Sequence, residues 1–265
     1  MRHIRPRKGL GQSFLTYEPV ADALVDALRP AAQDTVLEIG PGKGVLTSRL
    51  LALAGSVLAV ELDERLVAGL RLELGANPAL EVVHDDFMEF DLSRLSGLLV
   101  MGNLPYNLSS QMLFRLLDNL QAWDRAVLTT QREFALRLLA APGGKEYGAL
   151  TVFFDRLTVR ERLFNIQPEC FKPHPDVVST AFRLTRRLVP AYDVGDEARF
   201  RRIVKACFVQ RRKTVANNLA AGLGMDKPHV HAFLDIAGIE PIVRSETLSG
   251  EEFKRLAAAV GAMQD

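Results

Sequence analysis

The stretch "DTVLEIGPGKG" (34–44) decides the fold. Its first half is a short β-rich run whose apolar residues are consecutive rather than alternate. Its second half sets Gly40, Gly42 and Gly44 at alternate positions. Glycines so spaced let the backbone turn tightly and approach a bound molecule with no Cβ in the way. The helical pattern "GVLTSRLLAL" (44–53) follows directly. A run apolar on both faces, leading through glycines into a helix, predicts a strand of a parallel sheet. In open sheets of that kind the ligand crevice lies at the carboxyl ends of the strands.

The same alternation continues outward. Residues 17–29 repeat apolar positions at helical spacing. "SVLAVELD" (56–63), "LEVVHDD" (80–86), "GLLVMGN" (97–103) and "DRAVLTTQ" (124–131) are further strands. "ERLVAGLRLEL" (64–74), "SQMLFRLLDNL" (110–120) and "REFALRLLAA" (132–141) are helices. Strand and helix in turn predict an open α/β fold, a parallel sheet covered on both faces. After about residue 145 the pattern changes. "YGALTVFFDRLTVRERLF" (147–164) and "DVVSTAFRLTRR" (176–187) read as longer strands, around a loop made irregular by Pro168, Pro173 and Pro175. "LVPAYDVGD" (188–196) reads as a linker, and only helical patterns follow, at about 196–209, 211–221, 227–236 and 249–262. The expected division is an α/β domain over 1–188, with a basic N-terminal arm, and a small all-helical domain over 189–265. Ser249 with Glu252 three residues on is a capping box for the last helix.

With 265 residues, 48% of them hydrophobic, the chain has room for a large domain and a small one. A net charge of +1 does not mark a nucleic-acid binder, but the distribution is uneven. "RFRRIVKACFVQRRK" (199–213) holds seven basic residues and no acid. Arg201, Arg202, Lys205, Arg211, Arg212 and Lys213 are candidates for contact with a polyanion such as RNA. Charge alone fits a solvated basic helix face equally well. The first twelve residues add Arg2, Arg5, Arg7 and Lys8. Cys170 and Cys207 fit neither a disulfide framework nor a zinc site. His229 and His231, two apart on a helix, face different ways, and no metal is expected. No secretory h-region follows the basic start, and no apolar run reaches membrane-spanning length. A reduced, cytoplasmic compartment is expected.

Two acids extend the glycine turn into a site. Glu61 ends the next strand, about twenty residues past the first glycine, where a carboxylate can accept hydrogen bonds from two ribose hydroxyls. Asp86 ends the third strand and can accept from an adenine amine. Asp85 beside it points the other way on an extended chain. A dinucleotide calls for GxGxxG and a pyrophosphate on a helix N-terminus. Here the spacing is GxGxG, preceded by the acid Glu38. S-adenosylmethionine fits better: it has ribose and adenine, no phosphate, and an ammonium that acidic neighbours favour.

"NLPY" (103–106) ends the fourth strand and opens into the same crevice. In isolation it is a good turn and nothing more. An exocyclic adenine amine is a poor nucleophile because its lone pair is delocalised. Two acceptors on its two hydrogens favour a tetrahedral nitrogen with the lone pair aimed at a methyl donor. The Asn103 side-chain oxygen and the Leu104 carbonyl can be those acceptors. Pro105 rigidifies the turn, and Tyr106 can stack on the base.

The chain is identified as a member of a family by "GQSFL" (11–15), "EIGPGKGVLT" (38–47), "GNLPYNLSS" (102–110), "QREFALRLLA" (131–140), "KEYGALTV" (145–152), "FKPHPDVVSTAF" (171–182) and "QRRKTVANNL" (210–219). These resemble, in order and over nearly the whole chain, the ribosomal RNA adenine dimethyltransferases, most closely the KsgA-type enzymes of the small subunit. The resemblance implies a class I S-adenosylmethionine-dependent methyltransferase fold, Rossmann-like, with a seven-stranded, mostly parallel sheet and a helical C-terminal domain. It implies dimethylation at N6 of two adjacent adenosines near the 3′ end of 16S rRNA, within an immature 30S subunit, by a monomer.

By position, Ser13 and Leu15 border the methionine end of the cofactor, with Gln12 beside them. Gly40 and Gly42 line its backbone side, Glu61 holds the ribose, and Asp86 the adenine amine. Asn103 contacts cofactor and target, and Phe171 stacks on the target adenine opposite Tyr106. Without the resemblance Phe171 reads as a buried aromatic. Two positions depart from the family pattern. Ser13 stands where Asn is usual, so its contact runs through backbone or water. Phe87 replaces a small residue and can pack on the adenine ring. The alternatives are an erythromycin-resistance methyltransferase acting on 23S rRNA, an assembly factor acting mainly by binding, and an NAD-dependent oxidoreductase, which the glycine spacing disfavours.

Overall fold

The structure, a computed structural model, describes residues 4–7 and 11–262; Arg2 and Lys8 of the basic arm lie outside the described residues. In chain order the first elements are β1 (Phe14–Leu15), α1 (Glu18–Leu28), β2 (Thr35–Ile39), α2 (Val45–Leu50), β3 (Ser56–Glu61), α3 (Glu64–Leu74), β4 (Leu80–His84), β5 (Leu98–Asn103), α4 (Ser109–Asp118), β6 (Trp123–Gln131) and α5 (Arg132–Leu139). There follow α6 (Ala149–Leu157), β7 (Thr158–Ile166), β8 (Phe171–Lys172), β9 (Ser179–Arg186), α7 (Glu197–Cys207), α8 (Val215–Leu223), α9 (Lys227–Ala237) and α10 (Gly250–Ala262). The chain divides into two compact units. One comprises Met1–Ala135 with Arg160–Arg186, the other Leu136–Val159 with Arg187–Asp265. The later segment of the second unit thus begins two residues before the expected start at 189, and the unit also takes in the segment around α6.

In the first unit seven strands form one sheet in the order β4-β3-β2-β5-β6-β9-β7. The pairs β3–β4, β2–β3, β2–β5 and β5–β6 are parallel, and β6–β9 is antiparallel. This is the seven-stranded, mostly parallel sheet that the resemblance implies. The central strands are buried on both faces, which is why they read as continuous apolar runs. Chain order reverses beside β2: β3 lies on one side of it and β5 on the other. Loops leaving β2 and β5 therefore part, and a crevice forms between them. A separate two-stranded ladder pairs β1 with β8, Leu15 opposite Phe171.

The second unit contains α6 to α10. Phe153, Phe200, Ile203, Leu219, Phe233, Phe253 and Leu256 are buried in it. The helices start where side chains cap them: Asp196, Thr214 and Asp226 accept from backbone N–H groups of α7, α8 and α9. At α10 the Glu252 N–H donates to Ser249 Oγ (3.3 Å) while the Ser249 N–H donates to Glu252 (2.8 Å).

Two expectations about elements are corrected. Residues 147–164 are not one strand, because α6 occupies 149–157 and β7 begins at Thr158. The run "TVFF" carries β-formers, but Thr151 to Phe154 are all buried, and tertiary burial overrides that propensity. The helix expected over 211–221 starts at Val215, because Thr214 caps it and leaves 211–213 as a turn.

Candidate active site

A cleft of the first unit opens at the carboxyl ends of β2 to β5. Gly40 and Gly42 leave β2, Glu61 and Leu62 leave β3, Asp85 to Phe87 leave β4, and Asn103 to Leu108 leave β5; Gly11 to Phe14 complete the wall. Gly40 and Gly42 have φ of 66° and 60°, a conformation that only glycine adopts readily. A Cβ on Gly42 would also come within 3.0 Å of the Phe14 ring.

Glu61 fastens this end together. One of its oxygens accepts from the Gly42 N–H (3.1 Å), the other from the Asp63 N–H (2.9 Å). Burial pushes its carboxyl above the usual range, and those N–H groups oppose the shift. Each oxygen keeps a lone pair, which suits two ribose hydroxyls. Asp86 accepts from the Met88 N–H through Oδ1 (2.8 Å), leaving Oδ2 for an amine. Asp85 was expected to turn away, yet it lines the cleft too. β4 ends at His84, so strand alternation no longer governs residues 85 and 86. Phe87 lines the cleft and is buried.

Other expected cofactor residues stand differently. Gln12 lines the cleft, but its amide donates to Asp63 (3.1 Å) and its oxygen accepts from the Arg7 N–H (2.8 Å). Arg65 beside Asp63 holds that carboxyl well below the usual range. Sequence reasoning missed Asp63; its position as N-cap of α3 was the available signal. Leu15 lines a smaller hollow, with Ser13, the turn 40–43 and Asn103. The Ser13 hydroxyl donates to the Pro173 carbonyl (2.8 Å), so it is the backbone of Ser13 that borders the site. Glu38, expected among the cofactor residues, is not one of the residues that line the cleft. It is 1% exposed and neither oxygen has a hydrogen-bond partner. Burial pushes it up to about 7, Glu61 adds to the shift, and Thr47 opposes it without reaching hydrogen-bond geometry.

At the other end, Asn103 to Tyr106 form a braced turn. The Asn103 amide nitrogen donates to the Ser13 carbonyl (3.1 Å), and its oxygen accepts from the Thr129 hydroxyl. The Leu104 N–H donates to the Thr129 carbonyl (3.0 Å). Among the described residues nothing donates to the Leu104 carbonyl. The Pro105 carbonyl accepts from Leu108 N–H (3.0 Å) and Ser109 Oγ (2.9 Å), and Ser109 is in turn 2.7 Å from Thr130 Oγ1. The Tyr106 hydroxyl bonds Ser179 (2.7 Å), and burial raises its phenol. Thr129, Thr130 and Ser179 were invisible as site residues in sequence, because they lie on β6 and β9, far along the chain.

Phe171, expected to stack on the target adenine, is part of the β1–β8 ladder. It is 1% exposed, lies opposite Leu15 in the β1–β8 ladder and packs into the core. In the second unit, Arg202, Lys205, Arg211, Arg212 and Lys213 are exposed. Arg201 is half-buried, bonded to Glu197 (3.1 Å) with its guanidinium over the Phe153 ring. Asn218, also missed, fastens the basic turn: it accepts from the Gln210 N–H and donates to the Gln210 carbonyl (2.9 and 3.1 Å).

The cleft tests its ligand by charge. Glu61, Asp85 and Asp86 line it, and among the described lining residues there is no lysine or arginine. Acceptors without a phosphate-binding cation suit a cationic adenosine compound, as S-adenosylmethionine is. The profile of the family described as ribosomal RNA adenine dimethylase matches residues 4–258. The chain belongs to that family. Two curated relatives, each named ribosomal RNA small subunit methyltransferase A, illustrate the match. That of Geobacter metallireducens is 43% identical over 98% of this chain and 97% of its own. That of Myxococcus xanthus is 40% identical over 99% and 94%. Among solved structures, a dimethyladenosine transferase from Plasmodium falciparum aligns with TM-score 0.80 at 25% identity, over 95% of this chain and 98% of that one. The 23S rRNA methyltransferase ErmE aligns with TM-score 0.71 at 28% identity, over 94% and 99%. As a member of the family, the chain is an S-adenosylmethionine-dependent adenine dimethyltransferase acting on ribosomal RNA.

Proposed function

We propose that the chain dimethylates N6 of two adjacent adenosines near the 3′ end of 16S rRNA, in an immature 30S subunit, acting as a cytoplasmic monomer. Among the described residues no helix is long and apolar enough to cross a membrane. The observation that carries the chemistry is the pair of acceptors on one turn, Asn103 Oδ1 and the Leu104 carbonyl, in a cleft lined by carboxylates.

S-adenosylmethionine, when bound, supplies the methyl group on a sulfonium that departs as a neutral thioether. Glu61 and Asp86 hold its ribose and adenine, and the Gly40–Gly42 turn lets the backbone come close. Asn103 and Leu104 accept the two hydrogens of the target amine and direct its lone pair at the methyl group. Tyr106, its hydroxyl tethered to Ser179, offers a ring face to the base. No side chain of the turn has to abstract a proton first, because the nitrogen becomes acidic once the new N–C bond forms and then releases its proton to water. Orientation of this kind can supply on the order of 7–11 kcal/mol. Arg211, Arg212 and Lys213, presented by the turn that Asn218 fastens, would meet RNA phosphates, with Arg202 and Lys205 on α7.

The likeness to ErmE keeps one second reading, methylation of 23S rRNA. Transfer of tritiated methyl groups onto immature 30S particles and onto protein-free 23S RNA separates the two. Label in the 30S particles, at two adjacent adenosines near the 3′ end of 16S rRNA, is expected. Label only in 23S RNA overturns the proposal.

A further inference from the structure

We propose that the Thr129 hydroxyl and the Ser13 carbonyl form a two-ended clamp on the Asn103 amide, and that Thr129 is thereby a positioning residue for both methyl additions to one nitrogen. The inference rests on the reading of Asn103 as an acceptor for the target amine.

A primary amide can rotate end for end at small cost unless its neighbours distinguish the ends. A backbone carbonyl only accepts hydrogen bonds, so the Ser13 oxygen fixes Nδ2 on its own side, at 3.1 Å. Reversal would set oxygen against oxygen. Oδ1 is thereby sent to the opposite side, where the Thr129 hydroxyl donates to it. One lone pair of Oδ1 is engaged and the second is left for a ligand hydrogen.

Both jaws are held in turn. Asn103 and Thr129 are direct partners in the β5–β6 ladder, and Thr129 is 1% exposed. Its carbonyl also accepts from the Leu104 N–H (3.0 Å), so one residue holds the backbone and the side chain that flank the second acceptor. Ser13 is tied to the proline-rich loop through its hydroxyl on the Pro173 carbonyl and through the adjoining β1–β8 ladder.

The clamp bears differently on the two transfers. An unmodified adenine amine offers two hydrogens to two acceptors, and each bond corrects the other. After one methyl addition the nitrogen has one hydrogen, and its single remaining bond must orient the lone pair. An Asn103 amide free to turn therefore impairs the second transfer more than the first.

The test compares Thr129→Val, which removes the hydroxyl at nearly constant shape, with Thr129→Ser, which keeps it. Mono- and dimethyladenosine are quantified by mass spectrometry on immature 30S particles at saturating S-adenosylmethionine, with cofactor affinity measured by calorimetry. We expect Thr129→Val to slow the first transfer roughly 10-fold and to accumulate monomethyladenosine. Cofactor affinity should stay within about 2-fold, and Thr129→Ser should restore the dimethyl product. A variant that is merely less folded loses both transfers in proportion and leaves their ratio unchanged. A wild-type ratio of products in Thr129→Val, or equal impairment of the Val and Ser variants, overturns the clamp. Asn103→Ala in the same assay separates the two ideas. If it methylates like the wild type, the acceptor reading itself fails.

Discussion

The two ends of the cleft satisfy their polar atoms in opposite ways. Around the Asn103–Tyr106 turn, hydroxyls of Thr129, Thr130, Ser109 and Ser179 brace almost every group that could otherwise move. Around the glycine turn, Glu38 and Thr47 are buried with no hydrogen-bond partner, and burial raises both Glu38 and Glu61. A buried carboxyl left unpaired costs stability. The chemistry end is thus organised in advance of substrate. The glycine-turn end carries a cost in the free protein. Binding and chemistry should then be separable by mutation.

The largest expected effect sharpens the cofactor side. Glu38 has its pKa raised from 4.5 to about 7, so between those pH values the folded chain keeps a proton that the unfolded chain releases. Its contribution therefore turns increasingly unfavourable as pH rises through that window, and levels off above it. Glu38→Gln should gain stability relative to the parent over the same window, by up to about 3 kcal/mol, in denaturant titrations without cofactor. A constant difference across pH would remove the claimed cost. Next, Glu61→Gln should weaken S-adenosylmethionine binding by roughly 30-fold, about 2 kcal/mol, while methyl transfer at saturating cofactor changes little. A collapse of that rate would break the separation of the two ends. Tyr106→Ala should do the reverse, slowing transfer by about 10-fold through lost stacking with unchanged cofactor affinity. The smallest effect concerns the second unit. Charge reversal at Arg211 and Arg212 should lower the salt dependence of RNA binding by roughly 2 in log–log slope, as measured by filter binding. An unaltered slope would return the cluster to an ordinary solvated face.

The α/β sheet was legible because its strands are short, apolar on both faces and separated by helical periods. The wall of the cleft was legible for a related reason: Gly40, Glu61 and Asp86 line it, each at or just beyond a strand end, and sequence spacing predicts strand ends. What escaped was of two kinds. The helical state of 149–157 escaped because buried Val152, Phe153 and Phe154 suit a strand as well as a helix face. The bracing hydroxyls escaped because a buried Thr on β6 looks like any β-branched core residue until its ladder partner is known to be Asn103. Phe171 shows the limit from the other side: its motif points to a base platform, and burial opposite Leu15 could not be read from that motif.

The central claim, that acceptors on one turn perform the chemistry while carboxylates hold the cofactor, is tested most directly in Asn103→Ala. Its S-adenosylmethionine affinity and its rate of adenine methylation on immature 30S particles should be measured on the same preparation. The account predicts that methyl transfer falls by at least about 100-fold, on the order of 3 kcal/mol of lost transition-state alignment, while affinity weakens by less than about 10-fold. A near-wild-type rate, or a loss confined to cofactor affinity, would contradict it.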